Sequence, residues 1–195
     1  MAILSGHAGE IERILRDFSV SLPVDGVEPF GSGNINAAYL IRSQPSDWIL
    51  QEINRDVFSD LECLESNMRA VTAHFARARA DGSYLPAHDL EYRPAPSGRL
   101  LIVRDGRAWR VMRRVPDAYS KPTVASDEDA FRVADAFGHY DAVLSTLDPG
   151  ALCDPLPGFH DTPARVRALS VSAERANAIG LSHRLRRAAG EIAFC

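Results

Sequence analysis

An α+β fold is what this sequence predicts, with a five-stranded antiparallel sheet holding one inserted helix and helices alone after it. Three observations carry that reading. The apolar period runs from helical to two and back along the first half of the chain. A strong hairpin pair, Asp105-Gly106, separates two apolar runs. From Ser126 onward only helical spacing remains, so strands and helices are segregated rather than alternating.

The opening segment is helical because Ile11, Ile14, Leu15 and Phe18 recur at helical spacing between polar residues, and Pro23 closes it. Gly26–Phe30 and Ile35–Arg42 then read as strands paired across a glycine turn, and Trp48–Ile53 as a third after Gln44-Pro45-Ser46-Asp47. Ser59 ahead of Asp60-Leu61-Glu62 offers a capping box, in which the serine hydroxyl takes an orphan N–H and Glu62 reaches back. Leu61, Leu64, Met68, Val71 and Phe75 follow as one apolar helix face, ended by Asp81-Gly82. Beyond a loop containing Pro86, Pro94 and Pro96, Leu100–Arg104 and Arg107–Val115 flank the Asp105-Gly106 turn. Ser126–Leu147 is a further helix, carrying Phe131, Ala134, Phe137, Val143 and Leu144 and stopped by Asp148-Pro149-Gly150. Thr162 as N-cap and Pro163 at the first helical position open the next. Leu185, Ala189 and Ile192 continue a helical stripe whose apolar end at Cys195 reads as cut mid-helix.

Composition narrows the function classes. With 26 acidic against 22 basic residues the net charge is −4, the wrong sign for a general nucleic-acid binder. No stretch approaches the roughly 20 apolar residues of a membrane span, and the first residues lack the charged and apolar regions of a secretory signal. Cys63, Cys153 and Cys195 are odd in number and widely spaced, so free thiols in a reducing, cytoplasmic compartment are expected.

The first chemical motif is Phe30-Gly31-Ser32-Gly33-Asn34-Ile35-Asn36. Glycines let backbone N–H groups approach a phosphate without side-chain obstruction, although glycine turns are also ordinary hairpins. A dinucleotide-binding reading requires strand, glycines, then helix. Here Ala37-Ala38-Tyr39-Leu40-Ile41 continues as a strand, and strand–glycines–strand is the arrangement of the kinase phosphate-covering loop.

The stretch Gly26 to Asn36, the strand Trp48-Ile49-Leu50-Gln51-Glu52-Ile53-Asn54, and Phe58 before the capped helix resemble the N-acetylhexosamine 1-kinases. So do Ala108-Trp109-Arg110-Val111-Met112, Ala136-Phe137-Gly138 and Gly158-Phe159-His160-Asp161-Thr162-Pro163. These enzymes belong to the aminoglycoside phosphotransferase and choline kinase group, with a two-lobed protein-kinase-like fold. The resemblance implies a nucleotide-binding N-lobe over residues 1–117, ending in a hinge. Residues 118–195 would begin a helical C-lobe and stop before the catalytic loop. It implies ATP as donor with Mg²⁺, and a sugar acceptor in the full-length parent. Gly31, Ser32, Gly33, Asn34, Ile35 and Asn36 would cover the phosphates, Ala38 and Ile49 roof the adenine, and Met112, Arg113, Arg114 and Val115 lead the hinge through Asp117. Gln51 matches the phosphate-binding lysine of the third strand but brings no charge, and Glu52 would point the other way. Glu65 is the best-facing helix glutamate and Arg69 a candidate replacement cation; the competing reading makes them an exposed helical pair worth a few tenths of a kcal/mol.

What phosphoryl transfer needs is missing. An aspartate must orient the attacking hydroxyl, and further ligands must hold Mg²⁺, which this group supplies from an H-x-D-x-x-x-x-N loop and a later aspartate. His88-Asp89 lies in the proline-rich loop with Pro94 where asparagine should fall, and His160-Asp161 suits a helix start better. His74, His139 and His183 stand singly, and His183-Arg184-Leu185-Arg186-Arg187 reads as a solvated basic face. The expectation is therefore the front portion of an ATP-dependent N-acetylhexosamine kinase, inactive as this chain alone. A non-catalytic nucleotide- or partner-binding module, paired with a separately encoded C-terminal half, and a kinase for an aminoglycoside or amino alcohol are the alternatives.

Overall fold

A computed structural model describes residues 8–31, 33–84, 90–116 and 123–178. The chain divides after Pro155 into two compact units. The first holds an α+β arrangement. Helix α1 (Ala8–Asp17) is followed by strands β1 (Gly26–Pro29), β2 (Ala37–Arg42) and β3 (Trp48–Ile53), then helix α2 (Leu61–Ala80). Strands β4 (Tyr92–Arg93), β5 (Ile102–Arg104) and β6 (Arg107–Arg113) follow, and then helix α3 (Asp127–Leu144) and a short 3-10 turn at Pro149–Ala151. The second unit contains helix α4 (Thr162–Ala178).

The sheet is antiparallel throughout, in the order β1-β2-β3-β6-β4, with β5 also paired to β6. It has six strands rather than the expected five. The addition is β4, which places Tyr92 opposite Met112 and Arg93 opposite Val111. Two residues followed by Pro94 carry no readable period, so pairing to β6 rather than local propensity makes this strand.

The sheet's two faces are covered by different helices. Ile11, Ile14 and Leu15 of α1 and Phe18 just after it are all buried, packed with Ile41, Leu50, Trp109 and Val111 on one face. The alternation of strand side chains puts Leu40, Ile49, Ile53, Ala108 and Met112 on the other face. There Ile53 and Ala108 pack with Met68 of α2, Leu100 and Leu101. Arginines pin the α1 face at its edge: Arg107 binds Glu52 and Glu10, and Arg104 binds Asp17 through two bonds of 2.7 and 2.9 Å. Glu52 thus points away from the α2 face, as alternation requires.

Helix ends correct two details of the sequence reading. Asp60, not Ser59, caps α2, its carboxylate accepting from Cys63 N–H at 2.9 Å. Asp161, not Thr162, caps α4, accepting from Ala164 N–H at 2.8 Å. In each case helical geometry begins one residue away from the expected position, at Leu61 and Thr162, and a carboxylate at the cap also gains from the helix dipole. Ser126, expected as the first residue of α3, is its N-cap, accepting from Asp129 N–H at 3.1 Å. α3 meets α2 where Val143 packs with Phe75 and Ala78, and His74 Nε2 lies 2.9 Å from the Val143 carbonyl oxygen.

The expectation of three free thiols is overturned. Cys63 on α2 and Cys153, 90 residues later, form a disulfide. Asn67, one turn along α2, reinforces it by donating to the Cys153 carbonyl at 2.8 Å and accepting from its N–H at 3.0 Å. Long-range pairing of this kind leaves no mark in cysteine spacing. Among the described residues no helix is long and apolar enough to cross a membrane. The apolar stripe at Leu185, Ala189 and Ile192, Cys195, the basic run 183–187 and His88-Asp89 lie outside the described residues, as do Ser32 and the hinge residue Asp117.

Candidate functional site

The glycine segment joins β1 to β2 as a hairpin, with no helix following it. Phe30 N–H donates to the Ala38 carbonyl at 2.8 Å, closing the loop beyond the last strand pair, Pro29 and Tyr39. Gly31 lies at φ +75°, a conformation that a β-carbon penalises. At Gly33 a β-carbon would stand 3.2 Å from the Asn36 carbonyl oxygen. Asn36 does not point into solvent: its Oδ1 accepts from Asn54 N–H at 2.9 Å, tying the hairpin base to the end of β3. Gly31, Gly33, Asn34 and Ile35 are exposed at the tip.

The hairpin's return strand lies beside β3. Ala38 pairs with Gln51 and Leu40 with Ile49, and on the other side of β3 Gln51 pairs with Arg110 and Ile49 with Met112. A cross-strand row of Ala38, Gln51 and Arg110 therefore runs across the α2 face. Ala38, Gln51 and Arg110 are half-buried, and Ile49 is buried. Gln51 Oε1 accepts from Arg110 Nε at 2.9 Å.

Glu65 and Arg69 do not join that row. Glu65 is 4% exposed, and it faces the turn between β4 and β5. It accepts from Leu100 N–H at 2.7 Å and Arg69 Nη2 at 2.6 Å, and lies 2.7 Å from Arg99 Nε. Arg69 also donates to the Gly98 carbonyl. Burial acts to raise the Glu65 pKa, but the Leu100 N–H, then the Arg69 bond and the charges of Arg99 and Arg69, outweigh it and hold it below the usual carboxylate range. The i, i+4 pair exists, with Arg69 half exposed as expected but Glu65 buried, and Glu65 faces the turn rather than the strand.

Leaving β6, the expected hinge residues are partly engaged. Met112 is paired within the sheet, Arg113 N–H donates to the Glu91 carbonyl at 2.8 Å, and Arg114 N–H to the Asp47 carbonyl at 3.0 Å. Arg113, Arg114 and Val115 line a cavity of about 810 Å³ together with Arg69, Thr72 and Tyr92. The structure therefore divides the predicted site residues into two groups. One is the hairpin with Ala38, Ile49 and Gln51; the other is Arg69 with Arg113, Arg114 and Val115.

Of the described histidines, His74 and His139 bond locally and His160 adjoins a helix cap. His74 Nε2 lies between the Val143 carbonyl and Thr146 Oγ1, His139 Nδ1 is 2.9 Å from the Asp135 carbonyl, and the residue after His160 caps α4. His139-Tyr140-Asp141 has the H-x-D spacing, but it lies inside α3 with Thr146 in the asparagine's place. No group of three His, Cys, Asp or Glu side chains converges to hold a metal among the described residues.

No protein-family model matches the chain.

Arg110, bonded to Gln51 in the cross-strand row, was not among the residues singled out from the sequence. Its signal was present: an arginine at the centre of an apolar strand, Ala108-Trp109-Arg110-Val111-Met112, in the same alternation phase as the small residue Ala108.

Proposed function

We propose that this chain is the nucleotide-holding portion of an ATP-dependent phosphotransferase whose acceptor is the anomeric hydroxyl of an N-acetylhexosamine. The observation that carries the reading is the hairpin. Its exposed glycines open from β1 straight into β2, and β2 lays Ala38 beside Gln51 on one sheet face. A loop of bare amides on a flexible two-strand support can close over phosphates, whereas a helix following the glycines would fix them in a dinucleotide crevice. An antiparallel sheet with one inserted helix supports the protein-kinase-like lobe, and the sugar follows from resemblance alone.

Gly31 and Gly33 would let amides approach the phosphates, Ala38 would leave room for the base, and Gln51 would donate to a phosphate oxygen. Positioning and charge stabilisation provide nearly all the rate in such transfers. A chain without the H-x-D-x-x-x-x-N constellation should bind nucleotide without transferring its phosphate, so a non-catalytic nucleotide-binding role is the second reading. ATP as donor implies a cytoplasmic setting, where the Cys63–Cys153 bond would meet reducing thiols.

The test is a titration of the 195-residue chain with ATP, followed by the fluorescence of Trp48 and Trp109, alongside transfer from labelled ATP to N-acetylglucosamine. Saturable binding that weakens in Gly31→Val, with no labelled sugar, is expected. Absence of saturable binding would sink the reading, and labelled sugar would overturn the binding-only expectation for this chain.

A further inference from the structure

Among the described residues, none carries a carboxylate that pairs with Arg110. It stands mid-strand on β6, opposite Gln51 and half-buried beneath α2. Its Nε donates to Gln51 Oε1, while Nη1 reaches only the Met68 sulfur at 3.6 Å and the Tyr92 hydroxyl at 3.5 Å. The guanidinium carbon lies 5.5 Å from the centre of the Tyr92 ring. Among the described residues no carboxylate pairs with it and Nη2 makes no hydrogen bond. The arginines of the opposite face differ: Arg107 holds two carboxylates and Arg104 one. Burial pulls the Arg110 pKa below its usual range, yet an arginine keeps its proton in a folded protein. A half-buried cation thus stands without a counter-ion among the described residues, and an anion bound there would gain a charge-assisted bond.

Gln51 points the same way. An arginine only donates, so its bond to Gln51 fixes the amide with its oxygen towards Arg110 and its Nε2 group as the remaining donor. That Nε2 group has no acceptor among the described residues. Two adjacent strands therefore present open donors, one of them charged, from directly paired positions. Ala38, the third member of the row, places this pair beside the return strand of the glycine hairpin.

We propose that Gln51 Nε2 and Arg110 Nη2 together hold one phosphate oxyanion of a nucleoside polyphosphate, Arg110 supplying the positive charge that Gln51 lacks. The guanidinium fork suits an oxyanion, and charge-assisted bonds of this kind are about twice as strong as neutral ones. The assignment rests on the hairpin being a phosphate cover. It departs from the sequence expectation in placing the cation on β6 rather than at Arg69, which is committed to Glu65 and Gly98.

The experiment titrates the intact chain and the Arg110→Met, Arg110→Lys and Gln51→Leu variants with ATP, inorganic tripolyphosphate and adenosine, with thermal melts of each variant as a folding control. Wild type should bind ATP and tripolyphosphate. Arg110→Met should weaken both by about tenfold or more with little effect on adenosine, Gln51→Leu should weaken both less, and Arg110→Lys should retain part of the binding. If a folded Arg110→Met variant binds ATP as tightly as wild type, the anion site is refuted while the nucleotide reading stands. If tripolyphosphate binds in an Arg110-dependent way and ATP gains nothing over it, the anion site stands and the nucleotide reading falls. Failure of the wild type to bind either polyphosphate overturns both.

Discussion

Removing the Glu65 carboxylate tests whether α2 is locked to the β4–β5 turn by one buried acid. Glu65 accepts from the N–H of Leu100, a buried residue, and from Arg69, whose side chain is half exposed. In Glu65→Ala the Leu100 N–H loses its acceptor in a site with little water access, which costs about 1–3 kcal/mol. Arg69 can turn to water, so its share is smaller, about 0.5–1 kcal/mol. The expected total is about 1.5–4 kcal/mol for Glu65→Ala. Glu65→Gln keeps an oxygen for Leu100 and loses only charge, so about 1 kcal/mol is expected. The pH dependence has a definite sign. A carboxyl held below its ordinary value when folded stabilises above the unfolded value, about 4.3, and that contribution is lost as pH falls through the lowered folded value. The gap between wild type and Glu65→Gln should be full at about pH 7 and shrink as pH falls below the ordinary carboxylate value of about 4.3. Urea unfolding followed by Trp48 and Trp109 fluorescence, both in the sheet, measures all three. A Glu65→Ala variant within about 0.5 kcal/mol of wild type, or a gap that widens with acid, would refute the lock.

Three further substitutions probe separate joints. Cys153→Ser should lower stability by about 2–4 kcal/mol in the same urea experiment, because a loop of 90 residues is released; thiol titration of unreduced, unfolded wild type should find one reactive cysteine, and three would show that the disulfide is absent. Asp60→Ala should cost about 1 kcal/mol through loss of the α2 cap, read as a shift in urea midpoint at unchanged slope. Gly31→Val should destabilise by about 1–2 kcal/mol, because a β-branched residue is forced to positive φ, while weakening ATP binding more than adenosine binding; equal loss for both ligands would remove the hairpin from the phosphates.

Residues whose partners are local or periodic were legible in the sequence. The α1 stripe, the Trp48–Ile53 strand and the Asp105-Gly106 turn lie where period and turn chemistry put them. What escaped depended on partners far along the chain. β4 exists because β6 offers it an edge, and Cys63 meets Cys153 through the return of the chain after α3. Glu65 was assigned to the strand lysine's partner by analogy, but the β4–β5 turn, whose position no local pattern announces, claims it. The two shifted caps are a smaller matter of one residue, within the usual uncertainty of helix ends. Site residues divide along the same line: the hairpin could be read from its glycines, whereas Arg110 acquires meaning only once β3 and β6 are paired in register.

The positions of Glu65 and Arg110 are connected by chemistry. A lysine is a flexible point charge that needs an external carboxylate to hold it over a phosphate, which is why a helix glutamate accompanies it in protein kinases. An arginine whose Nε is fixed by Gln51 and whose face lies near Tyr92 is already oriented. A carboxylate there would compete with the incoming phosphate for the same fork. If Arg110 is the phosphate cation, as proposed, no helix acid is needed to hold it, and Glu65 instead satisfies the Leu100 N–H and gathers Arg69 and Arg99 around a turn. Glutamine at position 51 is then a consistent part of the arrangement. It orients the arginine through its oxygen and leaves its own amide donors for the anion, so a lysine there would lose the acceptor that holds Arg110 and set two like charges on directly paired residues.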